Sequence, residues 1–325
     1  MNRNLLIALG TAAVTVAGPA MAQDAYPESP VTIMVPAAAG GPSDTVTRIV
    51  AEAMSEQLGQ QIVVQNMGGA GGTLGAARVA NAPADGYTLL LYHIGVATSA
   101  SLYDDLPYDP GEAFAPVGQV ADVPMTVIAR QDFEPEDVTA LIDYLKQNGS
   151  DVTYSHAGIG AASHLCGMLL MQELGVQFIE VPYPGTGPAL TDLIAGEVDL
   201  MCDQSTNTMG QIESGEVKAY AVTTPEPVDA LPDLPTLDDS GMEGFEVSAW
   251  HALWAPAGTP EAVIDTLSAA LQEALKDPAV IERLTDLGAQ PVSHEQATPE
   301  ALGQKLQSEI DRWAQVIEEA GVSAN

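Results

Sequence analysis

The chain is poor in positive charge. Its 325 residues include 10 Lys and Arg against 44 Asp and Glu, a formal net charge of −34. That imbalance excludes nucleic acid and anionic membrane surfaces as partners, because phosphates would be repelled. Aromatic residues make up only 5%, which argues against a surface that binds by base stacking. Cysteine occurs twice, as Cys166 and Cys202. In an oxidising compartment two cysteines can form one bridge; the alternative is two buried thiols, and spacing leaves both open. His93, His156, His164, His251 and His294 show no HExxH and no metal-ligand spacing, so no metal and no cofactor are expected. A G-x-S-x-G nucleophile elbow is also missing. The glycine runs at 69–75 and 158–163 each depart from G-x-G-x-x-G by one position. Neither has the expected acidic residue after a following strand, which argues against dinucleotide binding. No stretch reaches the about 18 apolar residues that mark a membrane-spanning helix.

What is present describes a globular, exported protein. Apolar residues make up 46%, and the acidic residues are spread along the chain rather than blocked, so a large core is expected. The length exceeds what one core usually holds, so two domains are expected. Arg3, the apolar run Leu5 to Val16, and Ala20-Met21-Ala22 read as a cleavable leader over residues 1–22, cut before Gln23. Loss of Arg3 leaves nine basic side chains. The expected location is the periplasm, with no stable membrane insertion.

Short apolar runs alternate with helical patterns. Val31–Val35, Ile62–Gln65 and Tyr87–Tyr92 read as strands, with helices over 43–58 and 76–81. Strands at 125–129, 152–155, 178–181, 198–202 and 217–223 repeat the pattern, with helices at 138–147, from 163 to about 174, and 188–195. This is an α/β fold built of parallel β-α-β units. Ser43 and Ser163 are read as helix N-caps, and Thr259-Pro260 and Thr298-Pro299 as caps with a proline at the first helical position. Val263, Leu267, Leu271 and Leu275 form one core seam. Leu302, Leu306, Ile310, Trp313 and Ile317 form another.

With few cations available, an anion would have to be held by backbone N–H groups, hydroxyls and water. Loops 37–44 and 157–163 each follow a strand and open a helix, and 182–187 does the same. Helix N-termini present unpaired N–H groups and partial positive charge, and in open α/β sheets ligands sit beyond the carboxyl ends of the strands. Each loop alone is equally readable as an ordinary capped turn. Asp203, ending a strand, either accepts from a ligand donor or caps the next helix. Trp250 and His251 either line a cleft or pack a hinge. Ser163 and His164 are adjacent, so on a helix they do not face one another as a nucleophile and base would.

These residues also carry a family pattern. Val35–Asp44, Gln65–Gly72, Ala84–Leu89, Ser163–Leu165, Val181–Pro188, Leu231–Thr236 and Ala255–Pro260 resemble, in order, the substrate-binding proteins of tripartite tricarboxylate transporters, often called the Bug family. The resemblance implies a type II-like periplasmic binding protein with a ligand cleft between two lobes. The expected division is 23–123 plus 249–325 for domain 1 and 124–248 for domain 2. It implies a small organic carboxylate as ligand, membrane permease subunits as partners, no enzyme activity, and a monomer. Carried over residue by residue, the expected ligand-binding positions are Ala39, Gly40, Ser43, Asp44, Gly158, Ala161, Ser163, Thr186 and Asp203. His164–Gly167 together with Met201–Gln204 resembles a branch in which both cysteines occur, which favours a Cys166–Cys202 disulfide. Pro184 and Met67 stand where relatives often carry basic residues, which lowers the positive charge of the site further. Three rivals remain: an exported hydrolase using Ser163 or Cys166, a ligand-presenting accessory to a sensor kinase, and an amino-acid or aromatic-acid receptor of the same fold.

Overall fold

The computed structural model describes residues 26–324; the leader and its cleavage site lie outside the described residues. Three parallel strands begin the fold: β1 (Val31–Val35) lies between β2 (Ile62–Asn66) and β3 (Thr88–Tyr92). Helix α1 (Pro42–Leu58) and helix α2 (Thr73–Ala80) make the crossovers. Gly59 ends α1 in the left-handed conformation, as expected of a glycine just past a helix. Helix α3 (Gly95–Leu102) follows, and then the long strand β4 (Phe114–Arg130).

After α4 (Val138–Asn148), a second parallel group forms from β5 (Thr153–His156), α5 (Ala162–Leu174), β6 (Ile179–Pro182), α6 (Thr186–Ala195) and β7 (Leu200–Gln204). Helix α7 (Ser205–Ser214) and strand β8 (Val217–Val222) complete it. The chain returns in β9 (Ser248–Pro256), then α8 (Glu261–Ala274), α9 (Pro278–Asp286), β10 (Gln290–Pro291) and α10 (Pro299–Ala320).

Two lobes share one strand. The path runs β2-β1-β3-β9-β4-β7-β5-β6. Up to Pro124, β4 pairs antiparallel with β9; from Met125 it pairs with β7 on one side and β8 on the other. The parallel reading therefore holds for β1–β3 and for β5–β7. Residues 125–129 of β4 and strand β8, read in the same pattern, instead pair antiparallel inside the second lobe, and β4 and β9 join the lobes antiparallel. The first half of β4 and all of α3, α9 and β10 have no counterpart in the sequence reading. Pro116 and Gly118 lie in that half of β4, where the register with β9 slips; both residue types interrupt a strand pattern.

Burial is two-sided, as helix-covered parallel sheets require. Leu89, Leu90 and Leu91 in β3 and Leu200, Met201 and Cys202 in β7 are buried without alternation. The α10 seam buries Leu302, Leu306, Trp313 and Ile317. Glu309 accepts from the indole N–H groups of both Trp250, at 3.0 Å, and Trp313, at 3.2 Å. Trp250 is thus packing under α10 rather than cleft wall. Thr298 caps α10 by accepting from Ala301 N–H. At α8 the cap position is Pro260, one residue later than the sequence reading, and the Thr259 hydroxyl turns back to Pro256 O. The sulfurs of Cys166 in α5 and Cys202 in β7 are bonded.

Candidate functional site

Two of the expected caps are displaced. Helix α1 is capped by Gly41 with Pro42 first, which places Ser43 inside the first turn. Helix α5 is capped by Ala161, and Ser163 is again inside. Both hydroxyls are engaged elsewhere. Ser43 Oγ lies 3.0 Å from His251 Nε2, and Ser163 Oγ accepts from Ala157 N–H at 3.0 Å. His251 Nδ1 sits 3.1 Å from Ala249 O. A carbonyl only accepts, so Nδ1 carries the proton and Nε2 accepts from Ser43.

One cleft between the lobes brings five helix N-termini together. Gly41, Pro42 and Ser43 contribute the start of α1, and Gly72 the start of α2. Ala161, Ala162 and Ser163 bring α5, Gly185 and Thr186 bring α6, and Gln204 brings α7. The cleft has about 520 Å³ of empty space, partly open to solvent, and its lining holds no Lys or Arg. Helix starts leave N–H groups without intrahelical partners and carry partial positive charge. Such a chamber suits a carboxylate at close backbone range.

The lobes are closed over this cleft. Tyr103 of the first lobe donates to Ile159 O of the second at 2.9 Å. A Cβ on Gly71 would stand 2.2 Å from Ile159 O, and one on Gly185 would stand 2.9 Å from Ala38 Cβ. Gly71 also has a φ of 62°, so glycine is required there both by conformation and by the approach of the other lobe.

Of the nine expected ligand-binding positions, Ser43, Ala161, Ser163, Thr186 and Asp203 line the cleft together. Ala39 and Gly40 are exposed, and Gly158 is half-buried outside the lining, where a Cβ would stand 3.7 Å from the Gly71 nitrogen of the other lobe. Asp44 faces away from the cleft: its Oδ2 accepts from Gly40 N–H and from Arg48 Nε, each at 2.9 Å. Burial pushes its pKa up, but these hydrogen bonds outweigh it and hold the carboxyl below its ordinary value. The lining also takes in residues the sequence reading did not single out as site residues: Gly69, Gly71, Gly72, His93 and Gln204. The dense glycines of 68–72 were the available signal. His93 accepts from Gly95 N–H through Nδ1 at 3.0 Å, which puts its own proton on Nε2.

Electrostatically the lining is unusual. Asp203 is the one ionisable carboxyl in it, and it is wholly buried. Its Oδ2 accepts from Asn207 Nδ2 at 2.6 Å, while Oδ1 has no partner, and neither has Gln204 Oε1. Asp203 neither heads nor caps α7; Gln204 is the cap residue. Burial pushes the Asp203 carboxyl up to about 6, against the Asn207 hydrogen bond. Burial also pushes His93 down to about 4 and His251 down to about 3. Both rings are therefore neutral at pH 7.

Two lobes joined by a shared strand, closed on a cleft of helix N-termini, define a periplasmic binding protein. The sequence matches the TctC family, the tripartite tricarboxylate transporter family receptor, over residues 46–322. The chain belongs to that family. It is 57% identical over 321 residues to an Agrobacterium vitis protein named for its place in the TAR-I ttuE–ttuC′ intergenic region, covering 99% of this chain and 92% of that one. Among solved structures, the periplasmic binding protein BugD is 52% identical, with a TM-score of 0.89 over 92% of this chain and 99% of its own. MatC from Rhodopseudomonas palustris, solved with bound malate, is 42% identical, with a TM-score of 0.86 over 90% of this chain and 100% of its own.

Proposed function

We propose that this chain is a periplasmic receptor that closes its lobes on a small organic carboxylate and delivers it to the membrane permease subunits of a tripartite tricarboxylate-type transporter. The observation that carries this reading is the convergence of five helix N-termini on a cleft whose lining holds no Lys or Arg. The ligand carboxylate sits against the backbone at Ser43, at Ala161 and Ala162, and at Ser163 and Thr186; the Ala161 N–H itself is taken by Gly158 O, which leaves that of Ala162 for the ligand. Ala39, Gly40, Asp44 and Gly158 act behind them by shaping the two loops. Asp203 Oδ1 accepts from a donor on the ligand, which fits a hydroxyl carried beside the carboxylate. The division at 123/124 and 248/249 is supported by two landmarks within one residue of it: β4 changes partners between Pro124 and Met125, and β9 starts at Ser248. The receptor works as a monomer, without metal or cofactor.

Binding rather than catalysis is favoured by the state of the candidate nucleophiles. Cys166 is bonded to Cys202 and offers no thiol. The Ser43–His251 contact has the geometry of a nucleophile and base, but burial pushes His251 down to about 3. A base that weak is mismatched to neutral pH.

The test is thermal unfolding against a panel of carboxylates, with native mass spectrometry of the purified protein to weigh any acid that co-purifies. A ligand that binds the native state raises the melting temperature by mass action. Malate or another member of the panel is expected to do so. Folded protein that responds to none of the panel and carries no acid would overturn the reading. A sensor-accessory role predicts the same binding but capture of a membrane kinase, rather than permease subunits, in a pull-down.

A further inference from the structure

Behind the second-lobe wall of the cleft lies a cluster that the proposed function does not use. Strand β5 ends at His156, α5 carries His164 in its first turn, and loop 157–161 runs between them. Both rings are almost fully buried, and their centroids are 5.1 Å apart. His156 Nδ1 accepts from Gly158 N–H at 3.1 Å, and His164 Nδ1 accepts from Gly160 N–H at 3.3 Å. A ring nitrogen that accepts cannot carry the proton, so each neutral ring holds its proton on Nε2. The two Nε2 atoms face the same acceptor, Glu180 Oε1, at 3.8 and 3.7 Å.

This arrangement excludes one chemistry and supports another. A protonated Nε2 cannot ligate a metal, so two histidines around one carboxylate are no metal site here. Each ring instead does a backbone task. Together they engage two of the amides in the loop whose ends, Ala157 and Ala161, form cleft wall. A third amide of the loop, at Ala157, is held by Ser163 Oγ.

We propose that His156 and His164 are a pair of positioning residues: as two neutral Nδ1 acceptors they hold the amides of Gly158 and Gly160, fixing the second wall of the ligand cleft, and protonation of the rings releases it. A proton added at Nδ1 turns each acceptor into a donor facing an N–H group. The titratable groups that face the pair are Glu180 from β6 and the Tyr154 phenol from β5, whose ring is 6.4 Å from that of His156. The Tyr154 hydroxyl donates to Ser163 O, and Asp203 at the end of β7 acts on Tyr154 electrostatically. Burial lowers the pKa of both rings, that of His164 to about 4, and burial raises that of Glu180. The wall is therefore fully held above the ordinary histidine pKa, and the hold weakens as the pH falls toward the lowered values. The consequence for binding rests on the carboxylate reading of the cleft; the hydrogen bonds themselves do not.

The experiment uses the ligand-free protein, labelled with ¹⁵N, and follows imidazole and amide resonances from pH 7.5 to pH 4. Both rings are expected as Nε2–H tautomers at pH 7.5, with the Gly160 amide titrating at the midpoint of His164 and Gly158 at that of His156. His164→Asn keeps an acceptor near the Nδ1 position, so the Gly160 amide stays protected but no longer titrates. His164→Leu removes the acceptor, and the Gly160 amide exchanges roughly 3- to 10-fold faster at pH 7.5. Nδ1–H tautomers, or a Gly160 amide indifferent to both the His164 titration and the substitutions, would overturn the proposal. A carboxylate panel that gives no binding would instead sink the receptor reading and leave the amide result standing.

Discussion

Replacement of Asp203 by asparagine separates what this carboxylate costs the empty protein from what it gives the ligand. The side chain is wholly buried, Oδ1 has no partner, and burial lifts the carboxyl from 3.8 to about 6. A shift of that size corresponds to roughly 3 kcal/mol of destabilisation once both states are ionised. The sign follows from the direction. A raised folded-state pKa means the penalty is absent below the ordinary value and grows as the pH rises through about 6. Asp203→Asn keeps the shape and an acceptor for Asn207, and the charge-assisted strength of that hydrogen bond is already contained in the net shift. The net gain is about 2–3 kcal/mol at pH 7.5, which in a chain of this size raises Tm by roughly 3–5 °C. At pH 4 the native carboxyl is itself protonated, and the gain should shrink toward zero. Binding should move the other way. A hydroxy acid of the panel that binds the unsubstituted protein loses its acceptor, and its Kd should rise at least about tenfold. Differential scanning calorimetry at both pH values, with titrations of the same samples by that hydroxy acid, reads all three quantities. A variant less stable at pH 7.5, or equally stabilised at both pH values, would refute the reasoning.

Three further outcomes are expected. Removing the disulfide with Cys166→Ala and Cys202→Ala opens a constraint spanning 36 residues, which the chain-entropy relation values at about 4 kcal/mol; a loss under about 1 kcal/mol in urea unfolding would contradict it. Gly71→Ala places a methyl against Ile159 O across the closed cleft and strains a positive φ; small-angle scattering should show a wider particle in the presence of ligand, and an unchanged closed form would count against the contact. Ser43→Ala leaves the buried His251 Nε2 without its partner, at a cost of about 1–3 kcal/mol; equilibrium unfolding measures it, and a neutral substitution would show that another group satisfies the ring.

The elements legible in the sequence were those set by local pattern. The α10 seam and its Thr298 cap follow from spacing alone, as do the three-strand parallel groups. The first half of β4 was not legible, because Pro116 and Gly118 interrupt it and it is held by pairing with β9, more than 120 residues away along the chain. Gly118 is required there by the close approach of Ala297 O, which a Cβ would meet at 2.6 Å. Helix α3 was missed because its small residues are buried on most sides and show no polar face. At the site, each strand-to-helix loop could be read one at a time. Which loops meet could not. The Ser43 hydroxyl is a good cap candidate locally, yet it is turned to His251, 208 residues on. The glycines at 69–72 read as a failed nucleotide motif, and their place in the cleft depends on the approach of the other lobe at Ile159. His93 gave no local signal at all.

Main-chain capture of an acid can be observed at the amides themselves. The ¹⁵N-labelled protein would be titrated with the carboxylate of the panel that binds tightest, and backbone amide shifts followed. The account predicts concerted movement of the Ser43, Ala162, Ser163 and Thr186 amides, saturating at one ligand per chain. A carboxylate that binds while those four stay still, with the changes gathered around Arg48, Arg78 or Arg283 instead, would contradict it.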